Sequence, residues 1–139
     1  MDKRTIANEI LLEDAAELMR EGREVTFTPL GNSMLPFIRG GKDAVRLRKK
    51  PSTAIGDIIL VRLPGRYVLH RLIHKEGNRL TLMGDGNIRG TEHCTEEDVL
   101  GTVIAILRNG KEVQPGDGRL WRRLRPIRRY LLAIYRRLI

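Results

Sequence analysis

Residues 58–74 have the sequence IILVRLPGRYVLHRLIH, in which two apolar runs are separated by the dipeptide Pro64-Gly65. Both runs are rich in branched and aliphatic side chains, and the first contains four of them in succession. Such runs favour strands, and a Pro-Gly pair is typical of a tight turn. The segment therefore predicts a β-hairpin with strands over Ile58–Leu63 and Arg66–His74.

Other short strand candidates lie on both sides of this hairpin, each bounded by glycine, proline or asparagine. They are Val25–Phe27, Asp43–Arg48, Arg79–Met83 and Val99–Arg108. Gly77-Asn78 predicts a second hairpin just before Arg79–Met83. Several short strands at close spacing favour a mainly β, barrel-like body over an alternating α/β sheet.

The beginning of the chain has a helical pattern instead, and Gly22 supplies a stop. The apolar positions at helical spacing are Ile6, Ile10, Leu11, Ala15, Leu18 and Met19. We divide the chain into an N-terminal helix (1–22), a β domain (23–108), a polar connector (109–118) and a basic amphipathic tail (119–139).

Length and composition restrict the class of protein. A chain of 139 residues is long enough for one domain with a core. The single cysteine, Cys94, excludes an internal disulfide, and no Cys/His cluster has metal-ligand spacing, so no metal or cofactor is predicted. Neither a secretory signal nor a membrane-spanning run is evident. These observations predict a cytoplasmic protein or one attached to a membrane peripherally.

The tail holds most of the net charge of +9, because it contains eight arginines and no Asp or Glu. A helix that starts at Pro126 places apolar residues on one side. The tail residues that we expect to meet a membrane or a partner are Trp121, Arg122, Arg123, Arg125, Arg128, Arg129, Arg136 and Arg137. A basic amphipathic helix fits an anionic membrane surface, and packing on the domain or on another protein remains the alternative. The near-neutral body argues against nucleic acid.

Ser33 lies in the heptapeptide GNSMLPF, residues 31–37, and His70 follows an apolar strand candidate. A serine hydroxyl is a poor nucleophile until a nearby base accepts its proton. A histidine is substantially neutral near pH 7 and suits that role. His74 and His93 are competing bases, but His74 lies about 13 Å further along the same strand.

Three sequence boxes in order resemble the type I signal peptidases, a clan that also includes the self-cleaving LexA-type repressor domains. The boxes are Gly31–Pro36 (GNSMLP), Gly56–Val61 (GDIILV) followed by His70-Arg71, and Met83–Asn87 (MGDGN) followed by Leu100–Val103 (LGTV). Bacterial enzymes of this family mostly have a lysine as base. Because His70 stands at that position here, the chain resembles the endoplasmic-reticulum-type branch, which uses histidine.

This resemblance implies a signal peptidase/LexA-like coiled β-barrel and a serine endopeptidase that cleaves extended, signal-peptide-like substrates. It implies that Ser33 is the nucleophile, His70 the general base and Asp85 the orienting acid. An acid shortly after the third box can also serve, where Gly90 stands with Glu92 two residues beyond, so the third residue stays open. The backbone N–H of Ser33 is expected in the oxyanion hole. Gly31 is expected near the substrate, and Met34 and Pro36 in packing and turn formation.

Two other functions remain as alternatives. Self-cleavage, as in the LexA-type relatives, requires a small-residue dipeptide such as Ala-Gly, which this chain lacks. A non-catalytic barrel that presents the basic tail to lipid or to a protein partner is the other. The sequence leaves the oligomeric state and the natural substrate open.

Overall fold

A computed structural model describes residues 3–138 of the chain, with side chains from Leu12 onward. Residues 1, 2 and 139 of the predicted helix and tail lie outside the described residues, as do the side chains of Ile6, Ile10 and Leu11. The elements are α1 (Lys3–Arg20), β1 (Val25–Phe27), β2 (Ala44–Arg48), β3 (Ile58–Leu63), β4 (Arg66–Glu76), β5 (Arg79–Met83), β6 (Glu92–Thr95), β7 (Val99–Arg108), β8 (Lys111–Val113), α2 (Arg119–Arg123) and α3 (Arg128–Leu138).

The strands form one antiparallel sheet in the order β1-β2-β7-β3-β4-β5-β6, with β8 paired to β7. The predicted mainly β body and the C-terminal helix are thus confirmed. The predicted barrel is not closed by hydrogen bonds, since β1 and β6 are the two ends of the described strand order. Both are short, with three and four residues, which limits the ladder that could join them.

Two elements differ from the sequence-based expectation. The strand β6 was not predicted, because its sequence EHCT is polar and lacks an apolar run. The predicted connector, residues 109–118, contains β8, which extends the sheet beside the end of β7. Both segments become strands because they form backbone hydrogen bonds with a neighbouring strand, β5 or β7, and their own sequences do not predict this pairing.

The hairpin β3–β4 forms as predicted, with Leu63 opposite Arg66 at the turn. The strand β3 is central in the sheet and is covered on both faces. Ile58 and Leu60 belong to one core cluster, whereas Ile59 and Val61 belong to a second one. Side chains alternate between the faces of a strand, so a continuous apolar run is what a strand buried on both sides requires.

The helix α1 covers the first of these clusters through Ala15 and Met19. It lies very close to β7 at Gly101, where an added Cβ would come within 2.3 Å of the Met19 sulfur. An alanine at this position would require the Met19 side chain to move away. The glycine in this otherwise apolar strand thus leaves room for the Met19 side chain of the helix to pack directly on the backbone of β7.

A buried carboxylate, that of Asp43, joins three parts of the fold. It is bound by the guanidinium groups of Arg39 at 2.8 Å and Arg108 at 2.9 Å. Arg108 also donates to the carbonyl of Phe37, so the end of β7 is tied to the turn that carries Ser33. Burial acts to raise the pKa of Asp43, but the hydrogen bonds from both arginines outweigh it and hold that pKa well below its usual range.

Replacing Asp43 with asparagine should lower the free energy of unfolding by about 2 kcal/mol at pH 7, because two partly buried arginines lose their countercharge. A carboxyl with a depressed pKa stabilises the fold above its unfolded pKa of about 3.9, and this contribution is lost as the pH falls further. The difference between wild type and variant should therefore shrink in urea denaturation near pH 3. The exposed Asp14→Asn on α1 is the control; a constant difference at both pH values would contradict this role.

Candidate active site

The hydroxyl of Ser33 lies within hydrogen-bond distance of His70, as the sequence predicts. The distance from Ser33 Oγ to His70 Nε2 is 3.0 Å. Ser33 begins a tight turn whose backbone is fixed by a hydrogen bond from Phe37 N to the carbonyl of Met34. His70 lies on β4 opposite Ile59 of the central strand β3. A turn and a well-paired strand therefore hold the two groups face to face.

The second ring nitrogen of His70 is bound by Glu92, at the start of β6. The distance from His70 Nδ1 to Glu92 Oε1 is 2.5 Å, and both side chains are close to nine-tenths buried. Glu92 stands opposite Leu82 in the β5–β6 ladder, which positions its carboxylate beside β4. An acid on Nδ1 fixes the imidazole in the tautomer whose Nε2 can accept a proton. The three residues thus form a continuous chain of hydrogen bonds from acid to hydroxyl.

Asp85, predicted as the orienting acid, does not bind His70. Its carboxylate binds the guanidinium of Arg71, with Nη2 to Oδ2 at 2.6 Å, and both side chains are almost completely buried. Consecutive residues of a strand point to opposite faces. The acid that meets Arg71 is therefore not the one that reaches His70. The expectation for Asp85 is corrected at the level of contacts: its carboxylate forms an ion pair with Arg71, and the acid bound to His70 Nδ1 is Glu92.

Arg71 is a fully buried arginine with a complete set of partners. Besides Asp85, it donates to the carbonyls of Gly56 and Gly116, and its guanidinium lies 5.0 Å from the ring centre of Phe37. It thereby joins the start of β3, the connector before α2 and the Ser33 turn. Sequence reasoning missed this role, although an arginine in a strand with an aspartate downstream was a usable signal.

The loop Gly84–Asn87 packs closely against the backbone of Ser33. Gly86 N donates to the carbonyl of Ser33 at 2.7 Å. A Cβ added to Gly84 would lie 2.4 Å from that carbonyl oxygen and 3.0 Å from His70 Nε2. No side chain larger than hydrogen fits there. The glycines of the third sequence box are therefore needed so that the loop can approach Ser33 and His70.

The other predicted site residues have separate positions. Met34 is buried, and its sulfur accepts a hydrogen bond from Asp85 N. Pro36 follows a cis peptide bond within the turn. Gly31 is exposed, and an added Cβ would meet nothing within 4 Å. Met34 and Pro36 thus shape the turn, whereas the expectation that Gly31 lies beside substrate stays a prediction, as does the oxyanion role of the Ser33 N–H.

A cleft of about 890 Å³ opens beside Ser33 and His70. Its walls are mainly apolar and come from α1, β1, the loop after it and β4. The apolar side chains that line it include Leu12, Leu18, Phe27, Leu30, Tyr67 and Leu69. A large apolar cleft with a few polar groups at one end is typical of a ligand site.

The two competing bases and the single cysteine lie away from this cleft. His74 is exposed on β4, and His93 is bound to the hydroxyls of Thr81 and Thr91. Burial and the neighbouring carboxylates raise the pKa of Cys94 to about 11, so its thiol stays protonated near neutral pH. Among the side chains of residues 12–138, no group of His, Cys, Asp and Glu is arranged to hold a metal ion.

Part of the C-terminal tail packs on the site loop. Trp121 Nε1 donates to the carbonyl of Asp85, Arg136 to that of Gly86 and Arg128 to that of Asn87. The Trp121 ring also meets Phe37 edge to face. These three tail residues thus hold three successive loop carbonyls, a role that the tail's charge pattern did not reveal. Arg123, Arg125, Arg129 and Arg137 remain exposed, and Arg122 bonds to the Asp117 carbonyl.

A scan against protein-family models finds no match for this chain, and a search of curated proteins finds none either. Within residues 3–138, no helix is both long and apolar enough to cross a bilayer.

Replacing Asp85 with asparagine should destabilise the protein by about 3 kcal/mol, because the Arg71 guanidinium would stay buried without a countercharge. Chemical denaturation measures this change. Glu92→Gln is the matched control, since Glu92 neutralises no buried arginine, and we expect it to change stability by less than about 1 kcal/mol. Equal stability of Asp85→Asn and wild type would remove the structural role of Asp85.

Proposed function

We propose that this protein is a serine endopeptidase of the signal peptidase-like type, with Ser33 as nucleophile and His70 as general base. The observation that carries the proposal is the hydrogen-bond chain from Ser33 Oγ through His70 to the Glu92 carboxylate. The same arrangement of hydroxyl, imidazole and acid recurs on unrelated folds that perform acyl transfer. Glu92 takes the place that sequence similarity suggested for Asp85.

The proposed reaction uses both ring nitrogens of His70: Nε2 transfers the proton, and Nδ1 stays bound to Glu92. Ser33 Oγ attacks the carbonyl carbon of a peptide bond while its proton passes to His70 Nε2. His70 returns that proton to the leaving amine, which departs and leaves an acyl-enzyme. Water then attacks the ester, loses its proton to Nε2 and releases the carboxylic acid as Ser33 is reprotonated. The Glu92 carboxylate stabilises the imidazolium that forms in each half-reaction.

The register of β4 supports an extended peptide as substrate. The half of β4 from Arg66 to His70 pairs with β3, whereas β5 pairs with β4 only from Arg71 onward. One edge of this half-strand is therefore open among the described strands, and it borders the cleft. A peptide that adds as a strand at such an edge gains main-chain hydrogen bonds. Its scissile carbonyl would then approach Ser33.

The signal peptidase/LexA-like fold is part of the proposal. The antiparallel sheet, the order of the three boxes and the contact between the third box and Ser33 support it. Two features depart from the resemblance: a glutamate on β6 orients the base, and Gly31 lacks the hydroxyl that many relatives have there. The second donor of an oxyanion hole would then be a backbone N–H or another side chain.

Ser33→Ala and His70→Ala should each lower peptide cleavage at least about 10³-fold, since each removes one half of the nucleophile–base pair. Turnover of a peptide library and labelling by a fluorophosphonate probe measure the loss. The matched controls are Ser52→Ala and His74→Ala, because Ser52 is the chain's other serine and both control side chains are exposed. Cleavage by Ser33→Ala at the wild-type rate would exclude Ser33 as the nucleophile, whereas no cleavage by wild type would leave the non-catalytic alternative.

Glu92→Gln should lower kcat by about 10²- to 10⁴-fold with little change in KM, because glutamine no longer fixes or stabilises the charged imidazole. Glu97→Gln, an exposed neighbour on the same segment, should retain full activity. Steady-state kinetics beside a thermal melt separates catalysis from folding. If Asp85→Asn lost activity without losing stability while Glu92→Gln stayed active, Asp85 and not Glu92 would be the orienting acid.

A further inference from the structure

The helix α3 has two opposite faces with different surroundings. Arg128, Leu132 and Arg136 are spaced by four residues and face the body; Leu132 is completely buried. Tyr130, Ile134 and Leu138 are also spaced by four, but they are 62%, 58% and 80% exposed. A shift of two residues rotates a helix position by about 200°. One face is therefore fixed to the protein, and the opposite face presents an apolar stripe to the outside.

Other exposed apolar side chains lie in the same C-terminal segment as this stripe. Leu120 and Ile127 are also exposed, at 71% and 47%. Half of the exposed large apolar side chains in residues 12–138 thus lie in the last twenty residues. Large apolar surface concentrated in one place marks an interaction site on a soluble or peripheral protein.

Exposed arginines accompany the stripe. Arg129 and Arg137 each precede a stripe residue and lie along one flank, and Arg123 and Arg125 are exposed before the helix. The segment from Arg119 onward has no acidic residue. A second copy of the chain offers little complementary charge, because residues 1–118 carry a net charge of only about +1. A nucleic acid would meet the arginines but leave the apolar stripe in water.

We propose that the outer face of α3 binds an anionic membrane surface, with Tyr130, Ile134 and Leu138 inserted at the headgroup boundary and the arginines against lipid phosphates. Such a surface satisfies both the apolar stripe and its basic flank. The opposite face keeps its hydrogen bonds to the loop Gly84–Asn87, so binding requires no rearrangement of the body. This binding goes beyond the proposed peptidase activity and does not depend on it.

Flotation with vesicles tests the proposal, using phosphatidylcholine mixed with phosphatidylglycerol and phosphatidylcholine alone. Wild type should float with the anionic vesicles, remain unbound with the neutral ones and be released by high salt. Arg129→Gln with Arg137→Gln should weaken binding at least about tenfold, since each arginine near an anionic surface contributes about a fivefold change. Arg66→Gln with Arg79→Gln, two exposed arginines on the strand hairpins, should bind as wild type.

A second variant tests the apolar stripe separately. Tyr130→Gln with Ile134→Gln keeps good helix formers at exposed positions, so its thermal melt should match wild type. Its binding to anionic vesicles should fall at least about tenfold. Undiminished binding by this variant would overturn the proposal. A second result would also overturn it: wild type is a dimer in light scattering, and the stripe variant is a monomer with unchanged flotation. A second copy of the chain would then occupy this face.

Discussion

The backbone of Ser33 rests on the loop Gly84–Asn87 at a distance that excludes any Cβ from Gly84 or Gly86. This steric constraint governs the position of the candidate nucleophile. It also fixes where Asp85 and its partner Arg71 lie, since Asp85 stands between the two glycines. The turn, the loop and the buried ion pair are therefore in direct contact and together hold Ser33 Oγ near His70 Nε2.

Buried ion pairs lie on both sides of the Ser33 turn, and their carboxylates bind arginines and not His70. Asp43 lies between Arg39 and Arg108 on one side of the Ser33 turn, and Asp85 is bound by Arg71 on the other. Each ion pair is costly to break because its partner would remain buried and unpaired. Together they give the turn a rigid frame. Within that frame, the imidazole of His70 has one acid and one hydroxyl as neighbours.

The sequence predicts structure formed by neighbouring residues better than contacts between residues that are far apart along the chain. The β3–β4 hairpin is encoded by a turn and by adjacent apolar runs, and the Ser33–His70 contact follows from recognisable boxes. Glu92 could not be chosen over Asp85 from spacing alone, because its position depends on how β6 pairs with β5. The open sheet and the tail's contacts with the loop are equally non-local: they depend on which residues meet after folding, and no local pattern records that.

The hydrogen bonds from Trp121, Arg128 and Arg136 to the loop carbonyls also bear on the order of events during synthesis. Ribosomes make the chain from its N-terminus, so the loop exists well before the residues that complete it. The Ser33 turn, His70 and Glu92 can all be present on a nascent chain whose loop carbonyls still face water. The three loop carbonyls gain these partners only after residues 121–136 have been translated, so the loop contacts are completed later than the Ser33 turn, His70 and Glu92.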